Sequence, residues 1–390
     1  MCLDADAVRQ DNAFYRALLQ RWSDKDYDNH SHEQLPPDQQ FFDTFGYFWA
    51  TAGHAVGDGL RALKARAQAE NLGYLETMLD GGPAIDKPEL AALLNPLAAG
   101  TPAPQIDAAL AQAYAILTTD AATGAKVDAY LSSLQDATAG IDDDSFRLRL
   151  QAYVLRSNAP ATVFGSLYTS FAAAQRSKLV VDVNILGPEN GHVAMRDYSL
   201  HMRMFAFLKQ RFPGVKLSLH AGELALGMVP PEGLRSHIRE AVQIAGADRI
   251  GHGVDIAHET DALELLRTMK QRQIAVEVNL TSNAFILGVK NEAHPVLLYA
   301  RFGVPFVIST DDPGVSRNNL SGEYLLYAMR YKPTYDELKQ VVYNSIRYSF
   351  LHADEKREEM AKLDRRFAAF EAKIAALPRG KAANGRGKRL

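Results

Sequence analysis

The chain has 390 residues, of which 47% are hydrophobic, 9% aromatic and 23% charged, a composition typical of a globular protein with a large core. Its formal net charge of −3 gives no electrostatic reason to expect binding to nucleic acid or to a membrane surface. The single cysteine, Cys2, excludes an internal disulfide and a multi-cysteine metal cluster. With no signal peptide or membrane-spanning run in the sequence, it also favours a cytoplasmic protein.

An aromatic segment at residues 41–49 is predicted to form a helix. Phe41, Phe45 and Phe48 recur at i, i+4 and i+7, which places them on one helical face. An ordinary core-facing helix and a helix that covers a ligand site explain this face equally well.

Short apolar runs alternate with longer amphipathic stretches from about residue 70 onward. The runs are almost continuously apolar, which is typical of parallel strands buried on both faces. The predicted strands are 72–78, 152–156, 179–185, 215–220, 249–252, 274–280 and 304–309, and the clearest predicted helices are 199–211, 233–245 and 261–272. This alternation predicts either a doubly wound sheet or a barrel.

The polar residues that follow these strands favour the barrel. They are spread over the ends of several strands: His220, Glu223, His252, Ser282, Asn283, Asp311 and Asp312. Active-site residues of (β/α)8 barrels come from the C-terminal ends of several strands, whereas a doubly wound sheet concentrates its site at one switch point. The sequence therefore predicts a (β/α)8 TIM-like barrel that is incomplete by one strand, because only seven strands can be counted.

The remaining regions complete a prediction of one domain over residues 1–378. Residues 91–139 are Ala-rich with Pro and Gly breaks, which predicts short helices in an insertion. Residues 355–377 carry apolar residues at helical spacing and predict an amphipathic helix packed on the barrel. The basic tail, 379–390, is expected to be disordered.

Three strand-end motifs carry the chemistry. The run LSLHAGE places a histidine, a possible metal ligand, three residues before Glu223. The run RIGHGVD leaves His252 between two glycines, which suits proton transfer near neutral pH. The run VISTDDPG delivers Asp311 and Asp312, whose side chains point in different directions. Taken singly, each motif has a structural explanation, as a hydrogen-bonded histidine or as a turn-capping aspartate.

Together, the motifs HAGE, GHG, SN and STDDP resemble those of the adenosine deaminase family, over roughly residues 38–350. The resemblance implies that His220 and Asp311 bind one zinc ion per chain, which activates a water molecule for attack on C6 of a purine. It also implies that Glu223 donates a proton to purine N1, and that His252 and Asp311 orient the water. Glu223 must then be protonated when substrate binds, so its pKa should be raised.

Further expectations follow from the same resemblance. Asp312 would contact purine N7, and the backbone N–H of Gly187 would contact N3. The aromatic helix at 41–49 would lie over the ribose. The partner is then a small purine nucleoside, released as a 6-oxopurine with ammonia. A zinc site of the cytidine-deaminase type is excluded because it needs a PCxxC motif.

The sequence departs from the family at one place. Family members begin with a strand that ends in HxH, and both of its histidines bind zinc. The only HxH here is formed by His30 and His32, in a polar segment that lies too close to the aromatic helix. We therefore expect the first barrel strand to be missing, with His30 and His32 as loop residues and less favoured ligands.

Three interpretations stay open at this stage. A form of the protein that contains the first strand could be a working deaminase of adenosine or a related 6-aminopurine nucleoside. A related barrel amidohydrolase could act on another ring amine. The chain could instead be a catalytically impaired homologue that acts as a purine-binding or structural protein. Retention of Glu223, His252, Asp311 and Asp312 favours the enzyme.

Overall fold

Seven parallel strands form one curled sheet whose spatial order is the order of the chain. The structure, a computed structural model, describes residues 4–25, 27–30, 32, 34–98 and 100–377, with the backbone alone at 29, 30 and 49–52. The strands are β1 (Tyr74–Gly81), β2 (Arg147–Leu155), β3 (Val180–Leu186), β4 (Lys216–Ala221), β5 (Arg249–His252), β6 (Ala275–Val278) and β7 (Phe306–Ile308). The prediction of a (β/α)8-type barrel is confirmed, with seven strands in the part of the chain that the structure describes.

Helices precede the first strand and follow every strand. The described helices before β1 are α1 (Ala5–Gln10), α2 (Asn12–Trp22), α3 (Tyr27–His30), α4 (Pro37–Ala52) and α5 (Val56–Ala69). Between β1 and β5 are α6 (Pro88–Leu94), α7 (Ala103–Thr119), α8 (Ala121–Thr138), α9 (Pro160–Arg176), α10 (His192–Arg211) and α11 (His237–Glu240). After β5 come α12 (Ala262–Arg272), α13 (Leu280–Ile286), α14 (Val296–Phe302), α15 (Pro313–Ser316), α16 (Leu320–Tyr331), α17 (Tyr335–Arg347) and α18 (Ala353–Ala375).

The main core lies between the sheet and its outer helices. Phe164 and Phe171 of α9 and Phe205 of α10 are fully buried there, against the apolar side chains of β3 and β4. Burial of one such side chain contributes roughly 1.5–3 kcal/mol. The near-continuous apolar character of the strands thus reflects helices on the outside and a packed interior.

One strand begins earlier than the sequence predicts. β2 starts at Arg147 rather than at residue 152, because charged side chains at its start are paired with acids. Arg147 donates to Glu358 at 2.8 Å, and Arg149 pairs with Asp142 at 2.7 Å and with Glu355. Because these residues are charged, the first half of β2 lacks the apolar pattern from which a parallel strand is predicted.

Two predicted helical regions differ from the structure. The predicted helix 233–245 is broken into a 3-10 turn at Pro231–Leu234, the short helix α11 and a π turn at Ala241–Ala245. The Ala-rich region 91–139 forms two long helices, α7 with 17 residues and α8 with 18, rather than short ones. Alanine has the highest helix propensity, and Pro102 stands at the N-cap of α7, where proline is tolerated.

The C-terminal amphipathic helix is α18, and it packs mainly on α17. Phe367 stacks on Tyr343 with ring centroids 5.2 Å apart, while Phe370 and Ile374 remain about half exposed. The predicted disordered tail at 379–390 lies outside the described residues. None of the described helices is long and apolar enough to cross a membrane.

The two edge strands of the sheet, β1 and β7, are unpaired on their outer sides as far as the described residues extend. A cavity of about 530 Å³ lies between them. It is lined by residues 74–78 of β1, by residues 307–312 in and after β7, and by parts of α17 and α18. We call this space the seam.

Candidate active site

The strand-end motifs converge at the C-terminal edge of the sheet. His220 pairs in register with Gly251, and Ala221 with His252, so the ends of β4 and β5 lie side by side. The rings of His220 and His252 are 5.1 Å apart between centroids. Together with Asp311 they offer one ligand atom each, all within 4.8 Å of one another.

The turn after His220 requires glycine. Gly222 has a φ of 77°, which residues with a side chain rarely adopt. A Cβ atom at this position would also lie 2.5 Å from Asp255 Oδ1 and 2.7 Å from Ile238 Cδ1. The turn is thus packed tightly against Asp255 and Ile238, which leaves no room for a larger residue.

A buried carboxylate, Glu189, fixes this turn. It accepts hydrogen bonds from the backbone N–H groups of Gly222 at 3.0 Å and Glu223 at 2.9 Å. His237 donates to it at 2.6 Å, and Arg156 lies 3.5 Å away. Although burial alone would raise its pKa, Arg156, His237 and the backbone donor lower the pKa of Glu189 to about 2. Sequence analysis missed this residue, and its signal was an acidic side chain directly after a buried strand.

Glu223 is a buried acid whose pKa lies near neutral pH. Burial raises the pKa of its carboxyl group to about 7, where His252 acts to lower the pKa and the carboxylates of Asp311 and Glu189 act to raise it. Its Oε1 lies 3.7 Å from Nε2 of His252. A raised pKa for Glu223 was expected from its assigned role as a proton donor.

His252 is fully buried in a left-handed backbone conformation, with a φ of 66°. Such a conformation costs a residue other than glycine of order 1–3 kcal/mol, and it is typical of functional sites. Its Nδ1 faces the amide nitrogens of Asn283 at 2.9 Å and Asn279 at 3.3 Å. Burial lowers the pKa of His252, but the carboxylates of Glu223 and Asp311 outweigh burial and leave it raised.

His220 has a different environment. Its Nδ1 lies 3.0 Å from Oδ1 of Asn184, a polar residue in the interior of β3. Its backbone carbonyl accepts a hydrogen bond from Arg156 at 2.7 Å. Burial, His252 and Arg156 together hold its pKa well below the usual range. His220 is therefore a neutral imidazole.

Asp311 and Asp312 follow β7, and their carboxyl groups interact with each other. Asp311 has a φ of 55° and belongs to the group that could hold a metal ion. Asp312 is mostly buried, and its carbonyl group accepts the first hydrogen bond of α15. Burial, and then the carboxylates of Asp311 and Glu223, raise the pKa of Asp312 well above its usual range. The raised pKa favours the protonated form of Asp312, which can donate a hydrogen bond.

The other predicted site residues lie around this edge. Gly187 directly follows β3, with a φ of 104° that favours glycine. Phe41 of α4 is buried among side chains of the loops that follow β5, β6 and β7, so α4 covers this edge of the barrel. His32 lies in an exposed turn and is not part of the metal-capable group found in the described chain; the side chain of His30 is outside the described part.

The donor set fits zinc in its chemistry. Imidazole nitrogen and carboxylate oxygen are common zinc ligands, and catalytic zinc sites use three protein ligands with one position open. His220 also donates its second ring nitrogen to a carbonyl oxygen, as metal-bound histidines do. The residues present can thus bind a divalent metal ion.

A barrel with a metal-capable His/Asp group and a buried acid at its C-terminal edge is typical of metal-dependent barrel hydrolases. The family model described as adenosine deaminase matches residues 114–366, which is more than half of the chain. The chain belongs to the adenosine deaminase family.

Two bacterial relatives agree with this family. Adenosine deaminase of Escherichia coli O7:K1 is 34% identical over 152 residues, and that of Enterococcus faecalis is 33% identical over 154 residues. Each match covers 39% of this chain and 42% of the relative, so the chain spans less than half of the relatives' length.

Three solved structures share the fold. The adenine deaminase of Arthrobacter aurescens has a TM-score of 0.57 at 18% identity, covering 91% of this chain and 89% of that one. The N6-methyl-AMP deaminase of Arabidopsis thaliana has a TM-score of 0.61 at 16% identity, covering 95% and 91%. A zinc-bound amidohydrolase of Burkhoderia ambifaria has a TM-score of 0.57 at 20% identity, covering 94% and 80%.

Proposed function

We propose that the protein is a zinc-dependent hydrolase that deaminates adenosine or a related 6-aminopurine nucleoside, giving the 6-oxopurine (inosine) and ammonia. The observation that carries the proposal is the position of Glu223. It is a buried acid with a pKa of about 7, adjacent to His252 and to the metal-capable group. Family membership supports the same reaction class.

His220 and Asp311 are proposed to bind one zinc ion per chain. When bound, zinc would supply an activated water molecule at neutral pH, because it lowers the pKa of a coordinated water to about 7. His220 suits this role because it is neutral. Asp311 suits it because its oxygen lies near both histidine nitrogens.

Proton movement is assigned to residues of this chain. Glu223 is partly protonated at neutral pH and would donate its proton to purine N1, which makes C6 more electrophilic. His252 and Asp311 would orient the attacking water by hydrogen bonds. The backbone N–H groups of Gly222 and Glu223 donate hydrogen bonds to Glu189. These bonds hold Glu223 in position while it transfers its proton.

Recognition of the base is assigned to Asp312 and Gly187. Purine N7 is a hydrogen-bond acceptor, so a side chain that contacts it must be a donor. The raised pKa of Asp312 supports this role, because a protonated carboxyl group can donate. The backbone N–H of Gly187 is proposed to donate to N3.

The seam is proposed to accept one more parallel strand that ends in HxH and supplies two further zinc ligands. The unpaired outer sides of β1 and β7 and the cavity between them support this proposal. The cavity reaches His220 and Asp311, where such ligands would be needed. We refer to a form of the protein that contains the 390 residues and such a strand as the extended chain.

A second candidate function is favoured by the open seam itself. With only two ligands from the chain, zinc would bind weakly, and the protein could act as a purine-binding or structural homologue without turnover. The two candidates differ in metal content and in product formation.

The test uses the purified extended chain and a panel of adenosine, deoxyadenosine, adenine and AMP. We expect about one zinc per chain and conversion of adenosine to inosine, measured by chromatography. Exhaustive chelation should abolish conversion, and added zinc should restore it. Full activity after chelation would disprove the metal assignment, and binding of purine without any product would favour the second candidate.

A further inference from the structure

We infer that two asparagines, Asn184 and Asn283, hold the two site histidines in opposite tautomers. His220 would present an unprotonated Nε2 to a metal ion, and His252 would present a protonated Nε2 to the reacting groups. The chemical use of these nitrogens rests on the proposed function, whereas the tautomers themselves follow from hydrogen bonds remote from any substrate.

The orientation of Asn184 is fixed by donors that cannot act as acceptors. Its Oδ1 accepts the backbone N–H of Ile185 at 2.8 Å and that of His220 at 3.2 Å. Its Nδ2 donates to Oε1 of Gln151 at 3.2 Å. Nδ1 of His220, 3.0 Å from the same Oδ1, must therefore carry a proton. A neutral imidazole has only one N–H, so Nε2 of His220 keeps its lone pair.

The orientation of Asn283 is fixed by a longer chain of hydrogen bonds. The backbone N–H of Val296 donates to Nδ1 of His294 at 3.2 Å, so Nδ1 carries a lone pair. Burial lowers the pKa of His294 to about 4, and the neutral ring then has its proton on Nε2. This Nε2–H donates to Oδ1 of Asn283 at 3.1 Å. The amide nitrogen of Asn283 consequently faces Nδ1 of His252 at 2.9 Å and donates to it.

His252 is thereby separated from the metal ligands. In the neutral ring of His252, Nδ1 accepts a hydrogen bond, so the proton lies on Nε2, the nitrogen 3.7 Å from Glu223. A nitrogen that carries a proton has no lone pair for a metal ion. Although His220, His252 and Asp311 lie within 4.8 Å of one another, the group divides into two ligands and one hydrogen-bond donor. Asn184 and Asn283 are positioning residues, because they act through the histidines.

The direct test is ¹⁵N NMR of the ring nitrogens in the metal-free 390-residue protein with labelled histidine. His220→Gln and His252→Gln variants assign the two rings by loss of their signals. At a pH above the raised pKa of His252, where its ring is neutral, we expect Nδ1 to be protonated in His220 and Nε2 in His252. The same tautomer in both rings, or a proton on Nδ1 of His252 alone, would overturn the inference.

A matched pair of substitutions tests the cause. Asn184→Asp keeps an acceptor next to His220 and should leave its proton on Nδ1. Asn283→Asp replaces a donor by an acceptor next to His252 and should move a proton to Nδ1. An unchanged His252 spectrum in Asn283→Asp would contradict the inference.

A second pair of variants tests His294, which lies at the far end of the hydrogen-bond chain from His252. His294→Gln retains an N–H near the position of Nε2 and should preserve the His252 tautomer, whereas His294→Phe removes the donor and should yield a mixture. Identical His252 spectra in the two variants would contradict the relay. These readouts need neither zinc nor substrate, so an inactive extended chain together with the expected tautomers would disprove the deaminase proposal and leave the relay intact. If a variant fails to fold, the wild-type spectrum still decides.

Discussion

The region around the C-terminal ends of β3–β7 and the seam belong to one barrel, yet they differ in how their polar groups are satisfied. Near these strand ends, the side chains of Glu189, Asn184 and Asn283 form hydrogen bonds with backbone groups or histidine rings, which fix their orientation. At the seam, two strand edges face a cavity without partners in the described chain. Proton-handling groups are therefore prearranged, while the proposed metal site depends on what occupies the seam.

A group of buried ion pairs crosses the interior of the barrel next to the seam. Arg249 of β5 pairs with Glu76 of β1 at 2.5 Å and also with Glu277 of β6. Burial would raise the pKa of Glu76, but Arg249 outweighs it and leaves the pKa lowered. This pair connects the exposed edge strand to the interior, which explains how β1 keeps its place with one neighbouring strand.

The largest effect is expected at the metal end of the site. Asp311→Ala in the extended chain removes a zinc ligand and should lose both metal and turnover. Asp312→Ala is the control, because it should weaken substrate capture and leave zinc content unchanged. Metal analysis and steady-state kinetics measure the two effects. Normal zinc content in Asp311→Ala would remove Asp311 from the ligand set.

A large effect on turnover without metal loss is expected for Glu223→Gln. An amide cannot supply the proton, and general acid catalysis contributes typically 10²–10⁴-fold, so the rate should fall by about that factor. Zinc content and purine binding should persist, because the site around Glu223 keeps its shape. A rate within about threefold of wild type, a much smaller loss than general acid catalysis implies, would show that another group protonates the base.

The connection to β1 gives the largest expected effect on stability. Glu76→Gln leaves Arg249 short of a buried partner and should destabilise the chain by about 3–5 kcal/mol. Asp182→Asn is the matched control in the same lumen. Burial raises the pKa of Asp182 well above its usual range, and its carboxyl group lies 3.8 Å from Arg249, farther than that of Glu76, so an amide in its place should cost less. Urea unfolding compares the two, and equal losses would refute the role of the Glu76–Arg249 pair.

A smaller effect follows from the titration of Glu223. Its pKa rises from 4.5 to about 7 on folding, so the folded state binds a proton more tightly than the unfolded state. The resulting stability is fully present below pH 4.5 and is lost as the pH rises through about 7, a change of about 3 kcal/mol. In metal-free protein, Glu223→Gln should remove this pH dependence. Parallel stability–pH curves for the two proteins would show that Glu223 titrates normally.

The sequence predicted the parts of the molecule that depend on local pattern. Apolar runs located the strands, and β5 matches its predicted bounds of 249–252. Charged residues hid the start of β2, because their partners lie far away in sequence.

Prediction of the site is limited in the same way, because contacts between residues far apart in sequence leave no local pattern. The residues proposed to bind metal and substrate follow from strand-end motifs, whereas their supporting partners do not. Glu189 contacts a turn more than thirty residues later in the chain, and His294 acts on His252 through Asn283. Such contacts depend on tertiary packing, which periodicity does not encode.

The most direct measurement of the central claim compares zinc content and inosine formation in the 390-residue chain and in the extended chain. With two ligands and an open seam, the 390-residue chain should bind zinc weakly, remain inactive and self-associate through its unpaired edges. The extended chain should bind about one zinc and deaminate adenosine. Robust activity of the 390-residue chain that is abolished by His30→Ala and His32→Ala would contradict this account and identify those histidines as the ligands.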